Sequence, residues 1–293
     1  MGEKQAGGMT LTEHELSEIR AFVEQRSGIV FDSSRERFFS GRVREHLEQK
    51  RLARGTDLVR LIRSSNAEYD LFLERMLTQE TSFFRYPAVF EALEKRVLPE
   101  MHAQKFWENP RTLRVWSAGC STGEEPYSIA ITIAETLEFA EAWNIHILAT
   151  DISRRALDTA ERGVYSRRDV EAFGPQYLDN HFSRVSEHQY QVKPRIRSMV
   201  TFAPMNLAQM VYMGRFDCIF CMNVLIYFSE ELRASLIQRF ADYLEPGGYL
   251  FLGHAESAAK AKAGLEPIVH GDSLIYQKVL PSRRRASAGQ VQR

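Results

Sequence analysis

Cysteine is scarce in this chain of 293 residues, where Cys120, Cys218 and Cys221 are the full complement. So small and odd a number excludes a disulfide scaffold and fits a reducing compartment. No stretch approaches the ~18 consecutive apolar residues that a membrane helix requires. The opening run, MGEKQAGGMTLTEHE, lacks the apolar segment of a secretory signal, so a cytoplasmic protein with no membrane insertion is expected. An excess of one charge is missing too, because 38 Lys+Arg stand against 38 Asp+Glu. Polyanion binders ordinarily carry a basic surplus, so the balance argues against nucleic acid as a partner. Cys218 and Cys221 form a C-x-x-C without a second Cys or His pair, and on a strand that spacing puts them on opposite faces, so no metal site is expected.

What is present is ordinary globular material, 44% hydrophobic and 26% charged, in a length that suits one large domain or two ordinary ones. Residues 10–86 read as an all-helical domain. Thr12 and Glu15 have capping-box spacing ahead of Leu16, Ile19 and Val23 on one helical face, and Gly28 is a stop. A second helix is expected from Ser33 or Ser34 to about Arg54, ended by Gly55. Leu58, Leu61 and Ile62 mark a third, and Tyr69, Phe72, Leu73, Met76 and Leu77 a fourth. From Leu113 onward short apolar runs (113–118, 145–152, 200–207, 216–224, 249–253 and 274–279) alternate with helical patterns at 126–140, 153–162 and 229–244. That alternation predicts an α/β domain over 87–281 with a parallel, doubly wound sheet. It lapses over about 164–199, where Tyr190, Val192, Ile196 and Val200 alternate, suggesting an inserted β-hairpin or small β-subdomain. Residues 282–293 are expected to be a disordered basic tail.

Chemistry concentrates at the carboxyl ends of the expected strands, where open α/β sheets bind ligands. The loop Ser117-Ala118-Gly119-Cys120-Ser121-Thr122-Gly123-Glu124-Glu125 follows the first strand and opens a helix. Gly119 would let backbone approach a ligand. The spacing is G-x-x-x-G, not the dinucleotide G-x-G-x-x-G, and two glutamates occupy the helix start that a pyrophosphate would need. Such a loop suits a ligand with an ammonium group and hydroxyls, although an ordinary Gly-rich turn looks the same. Asp151, ending the second strand, can accept hydrogen bonds from ribose hydroxyls or cap the next helix. Asn206 and Asn223, after the third and fourth strands, can serve an adenine edge or an amino-acid head group, or close Asx turns. Together these features point to a nucleoside without phosphate, and S-adenosyl-L-methionine fits. The fourth strand has no D/N-P-P-Y ending, which disfavours methylation of nucleic-acid bases.

Three runs resemble the CheR family of chemotaxis receptor glutamate O-methyltransferases. They are Thr81-Ser82-Phe83-Phe84-Arg85, the stretch from Val115-Trp116-Ser117 through Glu124-Glu125-Pro126-Tyr127-Ser128, and Asn223-Val224-Leu225-Ile226-Tyr227-Phe228, with Gly253-His254-Ala255-Glu256 following. The likeness spans about residues 11–280. It implies a helical N-terminal domain and a Rossmann-like, class I methyltransferase domain with an inserted small antiparallel β-subdomain. It also implies cofactor contacts from Gln79, Thr81, Arg85, Glu125, Asp151, Asn206, Leu207, Asn223 and Val224, with Glu125 favoured over Glu124 and Gln79 standing where relatives often have Asn. The implied reaction carries a methyl group to glutamate side chains on the cytoplasmic helical region of methyl-accepting chemotaxis receptors, leaving S-adenosyl-L-homocysteine, with a receptor C-terminal tether peptide as a further partner for the β-subdomain. A non-catalytic cofactor-binding adaptor, or a methyltransferase for another substrate, is the alternative.

A carboxylate acceptor is already an anion and a sulfonium methyl already activated, so alignment and water exclusion carry the expected catalysis. Arg85 is expected to orient the substrate carboxylate, with Tyr227 as a second polar wall. The bland readings are an interdomain salt bridge for Arg85 and a packed ring for Tyr227. His254 reads as a hydrogen-bonded wall of the pocket, and Phe83 and Phe84 as core residues where the two domains meet. Residues 33–54 hold seven basic and three acidic side chains. Arg37, Arg44 and Arg51 recur every seven residues, a stripe that can steer docking onto an acidic helical receptor or can simply be a solvated face.

Overall fold

The computed structural model describes residues 11–258 and 263–280. The expected basic tail at 282–293 lies outside the described residues. The chain divides into two units, one ending at Thr78 and taking in Tyr227–Ser229, the other formed by Gln79–Ile226 and the chain from Glu230 onward.

In the helical unit, α1 (Glu13–Ser27) opens on a complete capping box between Thr12 and Glu15 and stops at Gly28. A 3₁₀ turn (Ser33–Arg35), capped by Asp32, leads into α2 (Glu36–Lys50). This helix ends earlier than expected, because Arg51 takes the left-handed conformation at φ 55°. Gly55 is not its stop but the first residue of α3 (Gly55–Ser64). A Cβ at Gly55 would sit 2.7 Å from the Glu15 Cβ, so the glycine is there for close packing of α3 on α1. Glu15 Oε1 also accepts from the Thr56 N–H at 3.0 Å, so one carboxylate serves the starts of two helices. Those backbone donors hold its pKa below the usual carboxylate range. Ser65 caps α4 (Asn66–Met76), and the four helices bury Ile19, Val23, Val43, Leu47, Leu58, Ile62 and Phe72 completely. Residues 227–229 join by an Ile29–Phe228 bridge and a Val30 N–H to Tyr227 carbonyl bond of 2.8 Å.

The α/β unit begins with helices absent from the sequence expectation: α5 (Pro87–Ala92), a π-helical segment (Leu93–Val97) and α6 (Leu98–Lys105). The strands, in chain order, are β1 (Thr112–Ala118), β2 (Asn144–Asp151), β3 (Val164–Ser166), β4 (Phe182–Arg184), β5 (Gln189–Val192), β6 (Val200–Pro204), β7 (Phe216–Cys221), β8 (Leu244–Leu252), β9 (Leu265–His270) and β10 (Ser273–Lys278). The remaining helices are α7 (Glu124–Thr136), α8 (Arg154–Arg162), α9 (Arg167–Val170), α10 (Pro175–His181), α11 (Pro194–Arg197) and α12 (Glu230–Tyr243). Seven strands form the main sheet in the order β6-β2-β1-β7-β8-β10-β9. The first five are parallel, whereas β10 pairs antiparallel with both β8 and β9. The sequence order reverses between β1 and β7, the position at which such sheets bind ligands.

The inserted segment is a three-stranded antiparallel sheet, β3-β5-β4, with short helices around it. Ile196 belongs to α11 and Val200 to β6, so the alternation expected to run through them stops at Val192. Phe83 meets Tyr165, Phe182 and Phe173 at ring distances of 4.8, 5.5 and 5.8 Å. That aromatic cluster is why the segment up to residue 86, expected to be helical domain, belongs to the α/β unit from Gln79 on. No helix among the described residues is long and apolar enough to cross a membrane.

Candidate cofactor site

The loop after β1 folds over the end of β2, because the Gly119 and Cys120 N–H groups both donate to the Thr150 carbonyl, at 2.7 and 2.9 Å. Gly119 has φ +89°, and a Cβ there would lie 2.3 Å from Val224 Cγ2, so only glycine fits. Val224 and Gly119 are thereby brought together. Asp151 spans the next gap: its carboxylate accepts from the Ser121 N–H at 2.8 Å and the Ser153 N–H at 2.9 Å. The helix cap that Asp151 could have supplied comes instead from Ser153, whose hydroxyl accepts from Ala156 N–H. The same hydroxyl accepts from the Gln79 amide at 3.0 Å, which places Gln79 at the edge of the loop cluster. Thr81 is half-buried two residues on.

The two loop glutamates diverge. Glu124 is buried and accepts from the Thr122 hydroxyl at 2.7 Å, and burial pushes its pKa up. Glu125 keeps part of its surface accessible while its carboxyl group is hemmed in by protein, and it accepts from Ser117 Oγ at 2.7 Å. Its pKa is pushed up to about 7, chiefly by burial and further by the nearby Glu256 carboxylate, against the Ser117 hydrogen bond and the Arg85 charge. Arg85 is about one-third exposed, donates to the Glu80 carbonyl at 2.6 Å and has its ion pair, at 3.9 Å, with Glu80 of its own unit. It is therefore drawn to a neighbour in sequence, while its charge reaches Glu125.

The two asparagines also separate. Asn206 Oδ1 accepts from Ala208 N–H at 2.9 Å, the Asx turn that the sequence allowed, and opens the 3₁₀ turn containing buried Leu207. Asn223 does not close such a turn. It sits beyond β7, which ends at Cys221, has φ +62°, and holds its side-chain oxygen buried without a hydrogen-bond partner among the described residues. Ser121, also left-handed at φ +48°, leaves its hydroxyl oxygen in the same condition. A buried polar atom without a partner costs about 1–3 kcal/mol, so two of them in one loop cluster indicate a ligand that completes them.

Tyr227 belongs to the helical unit. Its hydroxyl is 2.8 Å from Thr78 Oγ1 and the Arg35 guanidinium lies 4.7 Å over its ring, so its contacts are those of the helical unit. The ring of His254 packs edge-on against Tyr86 at 4.5 Å. All three thiols are buried and pushed well up by burial, which makes them inert. Arg37, Arg44 and Arg51 are exposed, with no ion pair among the described residues, while their neighbours Arg42, Lys50 and Arg54 pair with Glu45, Glu68 and Asp57. Arg51 stands at the cap of α2, off the helical stripe. Sequence reasoning gave no role to Ser117, Ser121 or Glu256. The signal for the last was an acid three residues after a glycine at a strand end.

The donor set tests well against a phosphate-free nucleoside with an ammonium group. It offers two carboxylates, Asp151 and Glu125, two unpartnered acceptors, and a glycine wall flush against Val224. Comparison with known proteins agrees. The family described as CheR methyltransferase, SAM binding domain, matches residues 79–271, and CheR methyltransferase, all-alpha domain, matches residues 14–77. The chain is 34% identical over 275 residues to the chemotaxis protein methyltransferase of Vibrio parahaemolyticus, covering 92% of this chain and 98% of that one. It is 35% identical over 268 residues to chemotaxis protein methyltransferase 1 of Pseudomonas aeruginosa, covering 88% and 95%. The chemotaxis protein methyltransferase of Borreliella burgdorferi is 32% identical over 255 residues, covering 85% and 90%.

Proposed function

The chain belongs to the CheR family of S-adenosylmethionine-dependent methyltransferases, and from that premise we propose that its methyl acceptor is the side-chain carboxylate of glutamates on the cytoplasmic helices of chemoreceptors. Bound in this site, the cofactor supplies a methyl group already activated by its sulfonium. The acceptor is an anion at neutral pH, so the chain need only orient it and keep water away; orientation alone can lower a barrier by roughly 7–11 kcal/mol. The observation that carries the reading is Arg85, a partly exposed guanidinium whose field reaches the Glu125 carboxyl. A cation so placed suits a carboxylate acceptor and would repel a cationic amine. Asp151, Glu125 and the Asn223 oxygen hold the cofactor in this reading, with Gly119 and Val224 as its wall.

Incubation with methyl-labelled cofactor and a receptor cytoplasmic fragment should put label on the receptor that mild base releases, because carboxyl methyl esters hydrolyse and N-methyl groups do not. Base-stable label, or none, would overturn the assignment. The unpaired arginines give a second test. Reversing Arg37 and Arg44 to glutamate should slow receptor methylation about tenfold at low ionic strength and flatten its salt dependence, since exposed charges act over roughly 10 Å in 0.1 M salt. Cofactor affinity should not change. Equal methylation rates for variant and parent would show the stripe to be a solvated face.

A further inference from the structure

Glu256 has no assigned role, yet its carboxylate is buried at the carboxyl edge of the sheet and bonds backbone alone in its described contacts. Oε2 accepts from the Gly253 N–H at 2.7 Å and the Asn223 N–H at 2.9 Å, and Oε1 from the Ile226 N–H at 3.3 Å. One side chain therefore ties the end of β8 to the loop after β7. The two backbones come so close that a Cβ on Gly253 would lie 2.9 Å from the Asn223 nitrogen and 2.8 Å from Glu256 Oε2. The tied residue is the one whose conformation needs holding, for Asn223 has φ +62° and a buried, unpartnered side-chain oxygen. Left-handed backbone costs asparagine less than other non-glycine residues but is still uphill, and it persists where its surroundings enforce it.

We propose that Glu256 is the positioning residue of the cofactor site, clamping the loop after β7 so that the Asn223 side-chain oxygen faces the ligand. It acts on the site in a second way, through charge. The groups that face Glu125 are the Ser117 hydroxyl on β1, the Arg85 guanidinium and the Glu256 carboxylate, with the buried thiols of Cys120 and Cys221 in the same field. Glu256 is the like charge among them, so it favours the protonated form of Glu125 in the free protein. The inference rests on the cofactor reading of this site and goes further by naming the group that shapes it.

The test uses the full chain and calorimetric titration with S-adenosylmethionine and S-adenosylhomocysteine between pH 5.5 and 8.5. Glu256→Gln keeps the shape but sets an amide NH₂ against at least one backbone N–H and removes the charge. It should weaken both ligands about tenfold or more and move the pH inflection of binding to lower pH. Glu256→Asp keeps the charge but cannot span all three donors, so affinity should fall while the inflection stays. A purely structural side chain would leave the inflection in place for both variants. Wild-type protein that fails to bind either ligand would strike at the cofactor reading itself. If the wild type binds and Glu256→Gln matches it in affinity and inflection, the positioning role is wrong, and an inflection displaced in Glu256→Asp counts equally against it.

Discussion

Replacing Glu125 with glutamine is expected to yield a protein that is more stable without ligand and has lost its cofactor. The Glu125 pKa rises from 4.5 to about 7 on folding, chiefly through burial. A raised carboxylate pKa means that its favourable contribution is complete below the unfolded value and is lost as pH rises through the folded one. A displacement of that size amounts to about 3 kcal/mol by pH 8. Glutamine keeps an oxygen for the Ser117 hydroxyl, bonded to Glu125 at 2.7 Å, and carries no charge to bury. Thermal melts of the free proteins should coincide at pH 4, below the unfolded pKa, with the variant several degrees higher at pH 8, at roughly 2–4 °C per kcal/mol for a domain of this size. Ligand binding should run the other way. An ammonium group requires the ionised carboxylate, so wild-type affinity for S-adenosylmethionine should fall nearly tenfold per pH unit below 7 and level off above it. The variant should bind about 100-fold more weakly at pH 8, the worth of a charged hydrogen bond of up to about 3 kcal/mol, with little dependence on pH. Wild-type affinity in the variant would remove Glu125 from the ligand's environment and return the ammonium to Glu124 or another group.

The parts of this site legible in the sequence were those whose chemistry is local. Gly119 had to be glycine because the loop turns sharply at a strand end, and the structure adds that Val224 fills the space a side chain would take. The roles that stayed open were settled by residues far along the chain. Asn206 and Asn223 look alike in sequence, but one spends its oxygen on Ala208, two residues away, and the other is held by Glu256, 33 residues away. Glu124 and Glu125 are adjacent on a helix, so packing on either side of α7 decides which carboxyl meets Arg85 and Glu256. Gly55 read as a helix stop because glycine usually is one, whereas its reason is the Glu15 side chain forty residues earlier. Strand β9 escaped notice because Pro267 breaks an interior strand, and β9 lies at the edge, where proline is tolerated. Pro99 hid the helices at 87–105 as well; it is tolerated in the first turn of α6, which follows a π-helical segment closed by a Leu98 N–H to Leu93 carbonyl bond.

Asp151→Ala should have the largest effect of any single substitution in the cofactor site. Two loops converge on this carboxylate, through Ser121 N–H at 2.8 Å and Ser153 N–H at 2.9 Å, and alanine leaves both donors without an acceptor. Each orphaned donor costs about 1–3 kcal/mol if it stays buried, and less if the loop opens to water. Opening is the cheaper response for Ser121, which is already strained at φ +48°, but it carries away the serine whose hydroxyl waits for the ligand. Ser153 has its own bonds to Ala156 and Gln79, so α8 should remain capped and the fold should survive. Affinity for S-adenosylmethionine is therefore expected to drop by roughly 100- to 1,000-fold, or about 3–4 kcal/mol, once lost ribose contacts are included. The melting temperature of the free protein should fall by only a few degrees. Asp151→Asn should lie between, since its amide oxygen keeps one backbone bond while its NH₂ opposes the other. Calorimetric titration and thermal melts on the three proteins measure both quantities. Binding by Asp151→Ala within threefold of wild type would mean that the carboxylate serves the loops alone and that the ribose is held elsewhere. The order wild type, Asn, Ala in affinity, with stability changing far less, is what a carboxylate shared between backbone and ligand requires.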